Sequence, residues 1–311
     1  MLDALEEGLA RPFGTLRIPN SDAPRPFGSP PRGIVLRPQD VFQTLLRPAN
    51  TMQAAINALP FSADFLIDKD RVAATDWSWR DSATGLANTL ASNTTAAQAA
   101  FGGYSGTNNR VVQALKQAPK FFQRVTYTGD GTSGRQIPHG LGVKPGMIIV
   151  KSLVSSSYNW WVYHASIGAG SGLLLNATDA SSALSALWNN TEPTASAFTL
   201  GTYNQVNQNG GQYVAYLFAH DPDTSGIVQC GSGNATLPWA PQWVLYKDAG
   251  AASDWRIQDA ARGFTPAGGA PSLAPNLSAA EAVNGALTVS GSTLTFSGST
   301  TPVWCAIRAS I

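Results

Sequence analysis

"LPFSADFLIDKDRVAATDWSWRDSATG", residues 59–85, returns as "LPWAPQWVLYKDAGAASDWRIQDAARG", residues 237–263, without a gap and with eleven of the twenty-seven positions identical. That is self-similarity at domain scale, and it decides the fold before any local motif does. A third version sits between them. In it "MIIVK", residues 147–151, leads to "NWWVYHAS", residues 159–166. The landmarks run in step: Lys69, Lys151 and Lys247, then Trp77, Trp160 and Trp255, then Gly85, Gly168 and Gly263, then Leu90, Leu173 and Leu273, then Asn93, Asn176 and Asn276. Each copy closes on an apolar run, "VVQALKQ" from Val111, "YVAYLFA" from Tyr213 and "VWCAIRA" from Val303.

Within each copy the period is two. The first, third and fifth residues of "FLIDK", "MIIVK" and "WVLYK" share a face, the pattern of a β-strand. On the next strand the recurring tryptophan shares a face with Trp79 and Asp81, with Val162 and His164, and with Ile257 and Asp259. That face is assigned inward, making Trp77, Trp160 and Trp255 core anchors whose indole N–H groups should find carbonyls. The inward Lys and Asp suggest pairs Lys69–Asp81 and Lys247–Asp259 at the sheet edge. The opposite face holds Ser78 and Arg80, then Trp161 and Tyr163, then Arg256 and Gln258. This register puts polar groups on the surface in two copies and two aromatics in the middle one. Trp161 and Tyr163 are therefore the candidate ligand or partner platform, with burial by a neighbouring copy as the alternative.

Composition agrees with many short strands. Of 311 residues 43% are hydrophobic and only 13% charged, with 30 glycines and 20 prolines. A net charge of +1 without a basic cluster argues against a nucleic-acid partner. No apolar run approaches a membrane span, and the acidic start "MLDALEEGLA" is unlike a secretion signal. Cys230 and Cys305 could form one disulfide or remain two buried thiols.

Residues 1–40 differ from the rest. Seven prolines between Pro12 and Pro38 block helix and ladder alike. "RPFG" occurs at Arg11–Gly14 and again at Arg25–Gly28, each presenting a Phe on a stiff backbone. This segment reads either as a linker or as an extended arm that docks Phe13 and Phe27 into a neighbouring subunit.

Catalytic patterns do not assemble. Asp76 with Asp81 and Asp254 with Asp259 sit five apart on a strand, on opposite faces, unlike a glycosidase pair. "GDGTSG", residues 129–134, matches a phosphate-loop spacing but precedes a proline-bearing strand, and so reads as a hairpin turn. His139, His164 and His220 lack metal-ligand spacing. No catalytic residue, metal or cofactor is expected.

The phrases "FFQRVTYTGDGTSGRQIPHGLGVKPGMIIVK", "NWWVYHAS" and "GGQYVAYLFA" resemble a repeat domain of unknown function carried, often in tandem, by tail-fibre and other structural proteins of tailed bacteriophages. The match is good over residues 121–221, fair over 226–309 and eroded over 41–119, where the glycine turn has become "RPANT". The resemblance implies a virion component without enzyme activity.

The expectation is an all-β chain of three tandem β-sandwich-like repeat domains, at 41–120, 121–221 and 222–311, behind an extended Pro-rich arm at 1–40. The expected role is structural and adhesive in a bacteriophage virion assembled in the host cytoplasm: a tail fibre or tail-associated appendage, anchored to other virion proteins through the arm and in contact with host surface polysaccharide. The chain would be present in many copies in a symmetric assembly, with no nucleic acid or membrane partner. Three copies in one chain could also imitate a trimer on a particle axis. The alternatives are a capsid decoration or head-fibre protein and a tail polysaccharide depolymerase.

Overall fold

The segment "FLIDKD" is buried along its whole length, which a strand achieves only with covered faces and paired edges. The computed structural model describes residues 36–264 and 270–310. Phe13 and Phe27, with the rest of the arm to residue 35, lie outside the described residues, so their docking role is not addressed by the fold. From Leu36 onward the chain forms one compact unit, and its architecture is all-β.

Three antiparallel sheets carry the structure, and their strand orders correspond. The first runs Phe42–Pro48, Asn109–Leu115, Phe65–Asp70, Ser78–Asp81. The second runs Phe122–Thr128, Gln212–Ala219, Pro145–Ser152, Trp161–His164, and extends by Ser171–Leu174 and Ser182–Ala183. The third runs Val228–Ser232, Pro302–Arg308, Pro241–Asp248, Arg256–Asp259. In each, the last strand in sequence inserts between the first two. That insertion favours the apolar closing runs, because a strand flanked on both sides and covered on both faces buries nearly every side chain it carries.

The inner faces meet in one core. Phe65 stacks on Tyr216 at 4.3 Å between ring centroids and on Phe122 at 5.4 Å, joining the first and second sheets. Trp79 meets Trp160 edge-on at 5.2 Å. Trp243 packs on Phe218 at 6.1 Å and on Phe42 at 6.2 Å, which joins the third sheet to both others. Trp77, Trp160 and Trp255 are all buried here, on the face their parity assigned.

The outer faces are covered in three different ways. Helix α1, Ala49–Asn57, lays Met52 and Ile56 on Leu45, Leu66, Val112 and Ala114 of the first sheet. On the second sheet the cover contains helix α2, Ser185–Trp188, and helix α3, Asn204–Asn207. A small sheet of Ala235–Thr236, Thr293–Phe296 and Leu287–Ser290 covers the third, packing Leu287, Leu294 and Phe296 against Val244, Tyr246, Trp304 and Ala306.

These covers correct the surface assignment. Trp161 is 6% exposed and Tyr163 is fully buried, so they form no open platform. Trp161 meets Tyr203 at 5.6 Å and donates its indole N–H to Gln205 Oε1 at 2.9 Å, while Tyr163 packs on Trp188 and donates its hydroxyl to Glu192 at 2.6 Å. The polar residues at the matching positions are covered too: Ser78, Arg80 and Gln258 are buried. The strand alternates as its period requires, but its outward face meets a lid instead of water.

"GDGTSG" is not a hairpin turn. Phe122–Thr128 pairs with Gln212–Ala219, and Arg135–Pro138 pairs with Ala197–Leu200. The closing strand has taken the place a hairpin partner would need. The loop is held instead by Asn207, whose Nδ2 donates to Thr132 O at 2.9 Å.

Candidate functional site

The sequence landmarks converge on the seams between sheets, where the same set of bonds is made three times. The second and third strands of each sheet are joined by a loop that begins at the recurring lysine and ends at the recurring tryptophan. Lys69, Lys151 and Lys247 are each buried, and each first satisfies its own loop: Nζ donates to Thr75 O at 2.7 Å, to Tyr158 O at 2.7 Å and to Ser253 O at 2.5 Å. Each then reaches across a seam. Lys69 donates to Ser278 O at 2.9 Å, Lys151 to Thr95 O at 2.8 Å and Lys247 to Thr178 O at 2.8 Å.

The indoles cross the same seams in the same sense. Trp77 Nε1 donates to Ala274 O at 2.8 Å, Trp160 Nε1 to Thr94 O at 3.0 Å and Trp255 Nε1 to Leu174 O at 2.8 Å. Their backbone N–H groups donate to Asn93, Asn176 and Asn276 Oδ1, all at 3.0 Å. The Asn amides in turn donate to Asp76 at 2.7 Å, Asn159 at 2.9 Å and Asp254 at 2.7 Å. Backbone bonds complete each clasp: Gln98 N–H to Leu153 O, Ser181 N–H to Ala249 O and Glu281 N–H to Arg71 O. The order is cyclic. The first segment holds the second, the second holds the third, and the third holds the first.

The lysine partners correct the expected Lys69–Asp81 and Lys247–Asp259 pairs. A side chain at the end of the second strand points into the loop that follows it, where main-chain carbonyls are concentrated. The aspartates lie at the opposite end of the sheet. Burial lowers Lys69, Lys151 and Lys247 to about 8, with nearby Asp70 pulling Lys69 upward and Asp254 pulling Lys247 upward.

Asp81, His164 and Asp259 end the third strands, and each accepts from the turn after it: Asp81 Oδ1 from Ala83 and Thr84 N–H, His164 Nδ1 from Ser166 N–H, and Asp259 Oδ1 from Arg262 N–H. The turns close on Gly85, Gly168 and Gly263, with φ of 86°, 73° and 97°. Only glycine takes that left-handed geometry without strain, which accounts for the recurring glycine. The same three side chains also cross seams, in the sense opposite to the tryptophans. Asp81 accepts from Tyr216 Oη at 3.0 Å, His164 Nε2 donates to Trp304 O at 3.1 Å, and Asp259 accepts from Gln113 Nε2 at 3.4 Å. A histidine can stand where two aspartates do because the turn requires only an acceptor. Burial lowers His164 to about 4.

The seam between third and first segments carries extra charge. Arg71 grips Glu281 with two bonds at 2.7 and 3.0 Å, and Arg262 bridges Glu281 at 3.1 Å and Asp259 at 2.8 Å. Under the glycine-bearing loop of the first segment, Arg80 lies 3.8 Å from the Phe101 ring centroid, donates to Tyr104 Oη and sits 3.8 Å from Asp68. Burial raises Asp68 despite Arg110 at 2.9 Å and Arg80.

Cavities are modest. One of about 290 Å³ lies between Phe42, Gln43, Pro60 and Gln242, and one of about 400 Å³ between Thr84, Gln98, Tyr127 and Tyr213. Trp161 and Tyr163 line neither. Among the described residues no three His, Cys, Asp or Glu side chains gather as a metal site, and no helix is long and apolar enough to cross a membrane.

The family described as Domain of unknown function (DUF7483) matches residues 102–293, more than half of the chain. The chain belongs to the DUF7483 family. The DUF7483 match takes in the closing strand of the first sheet, the whole second sheet and the opening, second and third strands of the third. No curated protein and no solved structure matches the chain.

Proposed function

We propose that the three segments are copies of one unit closed into a ring. On this reading the chain is a structural component of a tailed-bacteriophage virion, a tail fibre or tail-associated appendage protein anchored to other virion proteins by its proline-rich arm. The observation that carries this reading is the cyclic order of the seam bonds, Trp77 to Ala274, Trp160 to Thr94 and Trp255 to Leu174. Three like sheets that satisfy one another's polar groups need no partner to close, so one chain takes the place of a trimer. Such a unit suits a threefold or sixfold position in a particle. The resemblance of residues 121–221 to a virion repeat domain supplies the particle.

The ring also favours a second reading, a decoration protein on a threefold position of the capsid. Both readings are non-enzymatic. With Trp161 and Tyr163 covered, glycan contact on either reading falls to another surface.

Reconstruction of the assembled particle tests the proposal. Density for the ring centred on a threefold or sixfold axis is expected, and its place on tail or head separates the two readings. Absence of the chain from purified particles overturns both. Clearing of host polysaccharide by the purified protein overturns the non-enzymatic role.

A further inference from the structure

Strand Val228–Ser232 forms an edge of the third sheet and pairs with Pro302–Arg308, which sets Cys230 directly opposite Cys305. Both are buried free thiols. The ladder decides what kind of pair they make. Arg308 N–H donates to Ile227 O, and Gly233 N–H donates to Pro302 O. Hydrogen-bonded pairs therefore fall on the odd-numbered residues of the edge strand, and Cys230 with Cys305 is a non-hydrogen-bonded pair. At such a pair the Cα atoms stand about 4.5 Å apart with side chains on one face. A disulfide spans about 4.4–6.8 Å between Cα atoms.

The surroundings hold Cys230 in place. A Cβ on Gly146 would lie 2.5 Å from Cys230 Cβ and 2.8 Å from its Sγ, so the second sheet passes over this thiol only because residue 146 has no side chain. The Cys230 thiol donates to Ala219 O at 3.6 Å, and its backbone N–H donates to His220 Nδ1 at 3.3 Å. The pair thus lies where the second and third sheets meet.

We propose that Cys230 and Cys305 are a covalent cross-link site, a dithiol that closes to a disulfide when the chain meets a small-molecule disulfide. The Cys230 thiolate attacks one sulfur of the oxidant, forming a mixed disulfide and releasing one small thiolate. The Cys305 thiolate then attacks the Cys230 sulfur, forming the internal bond and releasing the second. The two thiol protons pass to the two released thiolates; the protein dithiol is oxidised and the small disulfide is reduced to two thiols. Burial raises the Cys305 thiol well above the usual thiol range, and Cys230, on the outermost strand of the sheet, keeps 5% exposure where Cys305 has none. Cys230 is therefore the first to react. The bond would staple the outermost strand of the third sheet to its neighbour Pro302–Arg308.

The test equilibrates the purified full-length chain with glutathione at graded ratios of oxidised to reduced form, then denatures, alkylates and weighs it. The expected product has lost two hydrogens, resists alkylation at both positions and yields one linked peptide pair. Its thermal midpoint rises by roughly 5 °C or more and returns on reduction. Cys305→Ala should stop at a glutathione adduct or a free thiol, with no rise. Full alkylation at both positions at every ratio overturns the proposal, as does linkage found only between chains. Should Cys305→Ala fail to fold, the mass of the unsubstituted chain decides alone.

Discussion

The inner and outer faces of the three sheets obey different rules. On the inner side the same residue types make the same bonds three times, down to the 3.0 Å contact between each tryptophan N–H and its asparagine. On the outer side one strand position holds Arg80, Tyr163 or Gln258, and each is buried by a different device: a cation–π clamp, a helical lid or a small sheet. The difference follows from what each face meets. An inner face packs against two other inner faces, so a change in one segment must suit all three. An outer face meets only its own cover and is free to diverge with it.

The sharpest way to break this comparison is at the anchors. Trp77→Ala, Trp160→Ala and Trp255→Ala should each cost about 3–5 kcal/mol in urea unfolding, similar at all three positions. One near-neutral variant would show that its seam does not bear on the shared core.

The next effect tests an inner position where the chemistry differs, His164 in place of Asp81 and Asp259. His164 has Nε2–H bonded to Trp304 O and Nδ1 accepting Ser166 N–H, so only the neutral ring fits. With a folded value of about 4 against about 6.5 unfolded, the unfolded chain binds the extra proton between those limits. The contribution is present above pH 6.5 and is lost as pH falls towards 4, about 3 kcal/mol in all. Unfolding midpoints at pH 7 and pH 4.5 should therefore differ by more in the native chain than in His164→Asn. Equal acid sensitivity would assign the loss to carboxylates elsewhere.

A smaller effect probes the clasp itself. Lys151→Met keeps the length of the side chain but strands the carbonyls of Thr95 and Tyr158, and should cost about 2 kcal/mol by chemical unfolding. The smallest is on the outside. Tyr163→Phe loses only the bond to Glu192 and should cost about 1 kcal/mol, with the packing on Trp188 kept. A loss as large as that of Trp160→Ala would make outer and inner faces equally constrained.

Period-two alternation exposed the inner face because three versions of the same strand agreed on it. The lids were hidden for separable reasons. Helix α1 has nine residues and begins just after Pro48, and only Met52 and Ile56, four apart, hinted at a buried stripe. The cover over Trp161 and Tyr163 comes from a stretch rich in Ser, Asn and Thr, where Leu184, Leu187 and Trp188 keep helical spacing for only a single turn and Val206 stands alone. Lys69–Asp81 and Lys247–Asp259 do not pair because strand parity places two side chains on one face but not at one end of it. Carbonyl acceptors supplied by another segment leave no mark in residue identity.

The seam between Arg71 and Glu281 joins residues about two hundred positions apart. A ribosome making some 5–20 residues per second therefore leaves that side of the first sheet without its last neighbour for roughly 10–40 seconds. Through that interval the side of Trp77 and Lys69 stands bare, and nascent chains crowded on one message could join first sheet to foreign third sheet. Synthesis at low density, or a chaperone guarding that bare side, would favour correct closure over swapped assemblies.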